Sequence, residues 1–281
     1  MYGRDEYGYS ELCTERRRAD VTVEGVDFRI SESDGGTWEC IRIRSAEGER
    51  AIGRKRGIYD TLNTERFDLM DECEIGDATE EIARKLCEIF DTVGVLPEKL
   101  LILGLGNRAL TPDSVGPRAC DIIRPTMHIA RMDPESFSEY ECSEIAILCP
   151  GVLATSGLDT TDVVRGVSRR VAPDAIIAID ALCARDRERL GRTIQLSSAG
   201  IQPGGAVGRD GRGIDEDSIG VPVIAVGIPT VIDSSAFVDS HGATHRGEAM
   251  LVSPKEIDEI VSIGARIIGG AVNQAFGLSE Y

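Results

Sequence analysis

LILGLGNRALTPDSVGPRA, residues 101–119, decides how the rest of the chain is read. Leu101 to Leu105 is an apolar run of the length of a buried strand. Gly104, Gly106 and Asn107 interrupt it, and the polar turn Thr111-Pro112-Asp113-Ser114 leads toward a helix. In an open α/β sheet, functional groups gather beyond the carboxyl ends of the strands. A second stretch has the same form: Ala175 to Ile179 is apolar and rich in isoleucine, and Asp180 closes it. The two patterns predict that Asp113 and Asp180 meet across one crevice. Pattern alone leaves the other reading open, in which one carboxylate caps a helix and the other merely ends a strand.

Working outward, residues 1–24 read as an arm, mixing tyrosines, acids and the run Arg16-Arg17-Arg18 without useful periodicity. Trp38 to Ile43 alternates as an edge or half-buried strand does. A helix is expected from about Asp77, where Asp77 and Glu80 have capping-box spacing and Ile82, Leu86, Ile89 and Phe90 share a face. Cys120 to Ile129 has helical spacing, and an acidic link at 133–141 leads to a strand at Ile145 to Leu148. Asp159 or Thr160 caps a helix from Val163 to Val171, followed by the strand at 175–179, a short strand at Thr193 to Leu196 and another at Val221 to Val226. Residues 200–220, rich in glycine and charge, read as a loop or flap. A last helix, with Ser253 as cap, Pro254 at the first position and Glu256 at the third, buries Ile257, Ile260, Val261, Ile268, Ala271, Val272 and Ala275. Helices alternating with strands over short joins predict an α/β fold: a mostly parallel central sheet covered on both faces, with inserted substrate-facing segments. Without repeats or a long linker, the expectation is one domain behind an N-terminal arm.

The 281 residues suffice for a sizeable core, and there is neither an apolar run of membrane-spanning length nor a signal-peptide pattern. The expected location is therefore cytoplasmic. The formal net charge of −17 argues against non-specific nucleic-acid binding, which needs a basic footprint. Eight scattered cysteines with no CxxC pair read as reduced, mostly buried thiols. His241 and His245 lie four apart but lack the glutamate of an HExxH zinc site. No metal and no cofactor is expected.

No GxSxG elbow supplies a serine nucleophile, and His128, His241 and His245 adjoin no evident nucleophile. Cys183, three residues after Asp180 and expected one turn into a following helix, is the best thiol candidate, but it has no identifiable base. Two facing aspartates offer a simpler device. A like-charge pair raises the pKa of one member, so one acid can protonate a carbonyl or leaving amine while the other carboxylate activates water. The N–H groups of Gly104 to Asn107 could orient the pair or stabilise developing oxyanion charge. On residues alone the reading stops at a hydrolase, favoured over a binding protein.

The stretches GLGNRALTPDSVGP (104–117), PGVLATSGLDTTDVVRGV (150–167), PDAIIAIDAL (173–182), GIQPGGAVG (200–208), GVPVIAVGIPTVID (220–233) and SPKEIDE (253–259) together resemble the spore germination protease family. The resemblance implies a self-processing endopeptidase that degrades small acid-soluble spore proteins in the spore core. It implies an aspartic-type mechanism through Asp113 and Asp180, and a three-layer α/β/α fold like that of hydrogenase-maturation proteases. It also implies a homotetramer with no membrane or direct nucleic-acid partner, and a propeptide over residues 1–20 cut between Asp20 and Val21. Arg209 and Arg212, in the glycine-rich 200–220 stretch, are candidate contacts for a Glu-containing substrate. The alternatives are a metal-sensing maturation-type processing protease, an inactive acidic scaffold, and a thiol hydrolase built on Cys183.

Overall fold

The computed structural model describes residues 9–16, 23–204, 212–233 and 250–278. The chain runs β1 (Val26–Ser33), β2 (Gly36–Ile43), α1 (Ala46–Ile52), β3 (Gly57–Asn63), α2 (Glu72–Val93), β4 (Lys99–Gly104) and α3 (Val115–Ile122). It continues through α4 (Met127–Met132), α5 (Pro134–Phe137), β5 (Glu144–Leu148), α6 (Leu153–Ser156), α7 (Thr160–Val171), β6 (Ala175–Ala184) and β7 (Thr193–Ser197). It ends with α8 (Glu216–Ile219), β8 (Val223–Asp233), β9 (Leu251–Val252) and α9 (Ile257–Ala275).

One mixed sheet has the order β1-β2-β3-β7-β8-β6-β4-β5, with β9 beside β8. Its centre is parallel: β6 lies between β4 and β8, and β4 pairs onward with β5. The flank from β1 through β3 and β7 to β8 is antiparallel. Period-two geometry sends successive side chains to opposite faces. Leu100, Ile102, Ile177 and Ile179 accordingly join residues of α2, α3 and α9 in one core. Leu101, Leu103, Ile176 and Ala178 join Val164 of α7 in the other. The near-continuous apolar composition of β4 and β6 follows from burial on both faces.

Several local expectations change. The long helix begins at Glu72 rather than near Asp77, because Asp71 and Glu74 form the capping box: Asp71 accepts from the N–H groups of Cys73 and Glu74, and the Glu74 carboxylate accepts from the N–H of Asp71. The helical stretch at 120–129 is two helices, α3 and α4, split where Pro125 removes a backbone donor. The last helix starts at Ile257 with no side-chain cap, so Ser253 and Pro254 precede it. The strand at 38–43 is half of a hairpin turning at Asp34-Gly35, a two-residue turn signal. Within 200–220, Ile201 and Ile214 bridge in antiparallel fashion and Ile214 is fully buried. That part is packed rather than a free flap.

The largest change concerns β6. It does not stop at Asp180 but runs on to Ala184, paired with β8 through a register shift at Leu182/Cys183. Cys183 therefore lies in a strand and not in a helix, and no helix N-terminus activates it.

Candidate active site

Asp180 is delivered by β6, which carries the carboxylate out past the end of β4. It is buried, and its Oδ1 accepts from the N–H of Ala181 at 2.9 Å. Asp113 comes from the segment after β4, as the last residue of a 3-10 turn over Thr111–Asp113. Its Oδ2 accepts from the backbone N–H of Asn107 at 2.9 Å. The Asn107 side chain bonds locally, its Oδ1 accepting from the N–H of Ala109 at 3.0 Å.

Two glycines make the approach possible. Gly106 has φ +106°, and a Cβ there would lie 2.1 Å from the carbonyl oxygen of Asp113. Gly116, at the start of α3, is wedged against both strands: a Cβ would lie 2.3 Å from the Ile179 oxygen and 2.5 Å from the Leu105 oxygen. Thr230 of β8, fully buried, donates its hydroxyl to the Pro112 carbonyl at 2.7 Å. Thr111 donates to Asp258 at the start of α9 at 3.0 Å. The Asp113 turn is thus tied to elements far away in sequence.

The two carboxylates share one electrostatic environment. Burial pushes Asp180 well above the usual carboxylate range, and the charges of Glu11 and Asp113 push it the same way. Burial also raises Asp113, against the lowering effect of the Asn107 N–H. The charge of Asp113 thus adds to burial in disfavouring ionisation of Asp180.

Glu11 is the residue that sequence reasoning missed. Segment 9–16 docks along the end of β6. The Glu11 N–H donates to the Cys183 carbonyl at 2.8 Å, and the Cys183 N–H donates to the Glu11 carboxylate at 2.7 Å. Gln195 of β7 accepts from the N–H of Cys13 at 2.7 Å and donates to the Glu11 carbonyl at 3.3 Å. Glu15 accepts from the N–H groups of Arg185 and Asp186 at 2.7 and 2.9 Å. Between these acids, Leu12 is fully buried with Leu182, Ala184, Leu190 and Ile232. Cys13 is fully buried with Ile41, Ile43, Ile52 and Tyr59. Burial raises the Glu11 carboxyl, while Cys183, Arg54 and Arg16 oppose the rise. Spacing gave no hint of this docking, because its partners are backbone groups 170 and more residues distant.

The other expected residues lie elsewhere. Burial pushes the Cys183 thiol up to about 12, which leaves it a poor nucleophile. Arg212 is paired with Asp162 at 3.2 Å, and its carbonyl accepts from Thr161. Arg209, Asp20, Val21, His241 and His245 lie outside the described residues. Among the described residues no group of three His, Cys, Asp or Glu side chains is arranged to hold a metal ion.

Fold and site together define an α/β protein that carries Asp113 and Asp180 beyond the end of β4, with its own N-terminal segment docked on the adjoining stretch of β6. The family model described as germination protease matches residues 9–241. The germination protease of Priestia megaterium (strain ATCC 12872 / QMB1551) is 39% identical over 214 residues, covering 75% of this chain and 57% of that protein. That of Bacillus cytotoxicus (strain DSM 22905 / CIP 110041 / 391-98 / NVH 391-98) is 35% identical over 226 residues, covering 80% and 61%. The chain belongs to the germination protease family, and it spans about 57% to 61% of the length of these curated relatives. Among solved structures, the [NiFe] hydrogenase maturation protease HycI from Thermococcus kodakarensis KOD1 overlaps with a TM-score of 0.39 at 16% identity, covering 67% of this chain and 99% of that one. An overlap that low carries no weight for the fold.

Proposed function

We propose that this chain is an aspartic-type endopeptidase that hydrolyses small acid-soluble spore proteins, with Asp113 and Asp180 as its acid–base pair. Family membership supports peptide hydrolysis, and the single observation that carries the mechanism is that Asp113 and Asp180 both lie past the end of β4, near enough for the charge of Asp113 to act on Asp180. Asp180, the more deeply buried and the more strongly raised, keeps its proton and donates it to the scissile carbonyl or the departing amine. Asp113, half-buried and steadied by the Asn107 N–H, acts as the carboxylate that draws a proton from the attacking water.

Residues 1–20 serve as a propeptide in this reading, with self-cleavage between Asp20 and Val21. The docked segment supports it. Glu11 presents an acidic side chain beside Asp180, Leu12 is buried among apolar residues, and the Glu11 N–H and carboxylate occupy the free C=O and N–H of Cys183. A Glu-containing substrate would follow the same track once the arm has left. Arg209 and Arg212 remain proposed contacts for such a substrate, tested by whether their joint replacement with alanine slows cleavage of a Glu-containing peptide. A three-layer α/β/α arrangement, a spore-core location and a homotetramer belong to the same proposal, the last read by light scattering.

The test is cleavage of a purified small acid-soluble spore protein by processed enzyme, beside Asp113→Asn, Asp180→Asn and an EDTA control. Loss of about 100-fold or more in both variants, the scale of a removed acid or base, with no EDTA effect, is the expected result. Full activity in either variant would remove that aspartate from the chemistry.

A further inference from the structure

A second chemical site lies apart from the two aspartates, where β4 meets β5. The parallel register pairs Leu103 with Leu148, so the next residues, Gly104 and Cys149, lie side by side at the carboxyl ends of these strands. Cys149 is exposed at the tip of β5, the last strand of the sheet order. Cys120 comes from above, on the face of α3 that packs against β4. Gly104 has no side chain, and the space a Cβ would need is taken by sulfur. That position is 2.7 Å from the Sγ of Cys120 and 2.9 Å from the Sγ of Cys149. Two thiols remote in sequence therefore converge on one point and act on each other's ionisation.

Their surroundings are asymmetric. Arg108 faces Cys149 and is itself anchored, donating to Asp121 at 2.9 Å and to the Pro117 carbonyl at 3.1 Å. The neighbouring Cys120 thiol and the Arg108 guanidinium bring the Cys149 thiol down to about 7, against burial and the Asp121 carboxylate. Cys120 is buried, and its thiol is pushed strongly upward. An accessible thiolate beside a cation, backed by a buried protonated thiol, is the arrangement of an attacking and a resolving cysteine. Packing alone would need neither the cation nor the exposure.

We propose that Cys149 and Cys120 form a reversible dithiol site whose co-substrate is a hydroperoxide. The Cys149 thiolate attacks a peroxide oxygen, the O–O bond breaks and hydroxide leaves, giving a sulfenic acid. The Cys120 sulfur then attacks Cys149, the S–S bond forms, and the sulfenic hydroxyl departs as water with the Cys120 proton. Two thiols lose two electrons, and one hydrogen peroxide becomes two waters. The disulfide joins α3 to the end of β5 immediately behind the loop that carries Asp113.

The experiment treats the folded full-length protein with hydrogen peroxide near pH 7, blocks remaining thiols with iodoacetamide, and maps non-reduced peptides by mass spectrometry. The expected product is a Cys120–Cys149 cross-link two hydrogens lighter, reversed by dithiothreitol. In the Cys120→Ser variant, Cys149 should instead be trapped by dimedone as the sulfenic acid. Before oxidation, Cys149 should alkylate about ten-fold faster at pH 7 than exposed Cys73, as a half-ionised thiol facing a cation should. Cross-links that leave out Cys149, or a Cys149 no more reactive than Cys73, would overturn the proposal.

Discussion

At Asp180 ionisation is opposed by burial and by two neighbouring acids, Glu11 and Asp113, and the geometry that imposes this rests on few atoms. Gly106 is one of its supports. An alanine there combines a positive φ with a contact to the Asp113 carbonyl far below van der Waals distance. Gly106→Ala is expected to lower stability by about 1–3 kcal/mol and to cut peptide cleavage more steeply than Tm, read by calorimetry beside a cleavage assay. Thr230 is the other support. Its hydroxyl holds the Pro112 carbonyl from a fully buried position. Thr230→Val keeps the shape and removes the donor, at about 1 kcal/mol. Its cleavage rate should fall with little change in substrate affinity, because the Asp113 turn is loosened while the arm track is intact. Equal kcat and KM for Thr230→Val and the parent would show that Thr230 does not position Asp113.

The docked arm is the element on which pH acts. Glu11, Asp113 and Asp180 all have carboxyls raised in the docked state. A raised carboxyl favours the protonated form, so its stabilising contribution is complete below the free-chain value and is lost as pH rises through the docked value. Docking should thus be tightest under acid conditions and weaken as pH rises from about 4 upward. Hydrogen exchange at Leu12 and Cys13 reads this directly, with faster exchange at higher pH after correction for intrinsic rates. Glu11→Gln should flatten the dependence; an unchanged profile would show that Glu11 does not gate the arm. Replacing Leu12 by aspartate removes its apolar pocket contact and should release the arm at every pH, raising cleavage of added peptide. The arm was also the least legible element. Segment 9–16 has no periodicity, and what holds it are the N–H groups of Cys183, Arg185 and Asp186, which no local pattern reveals. The misplacement of Cys183 has a related cause. Ala181-Leu182-Cys183-Ala184 suits a helix start by composition, but pairing with β8 overrides that preference. The central strands β4 and β6 are legible, because strands buried on both faces read as near-continuous apolar runs, but the polar Asp180 reads as the end of β6, which pairing with β8 carries on to Ala184.

Across the whole molecule, the parallel centre is the rigid base and the antiparallel flank carries the wall that receives Cys13. That flank is only partly legible: Val26, Phe28 and Ile30 of β1 alternate with polar residues, but the strand is largely exposed and buries none of them. Ile102, fully buried on the face shared by α2, α3 and α9, tests the base. Ile102→Ala should cost about 2–5 kcal/mol by chemical denaturation, whereas a change below about 1 kcal/mol would mean that this core is not the stabilising one. The central claim is that Asp113 and Asp180 titrate as neighbours in one crevice beside Glu11. Carbon-13 NMR of the labelled aspartate carboxylates, followed against pH in the parent, Asp113→Asn and Glu11→Gln proteins, tests it most directly. The account predicts an Asp180 midpoint well above the ordinary carboxylate range that falls in both variants. An ordinary Asp180 midpoint, or one indifferent to both substitutions, would contradict it.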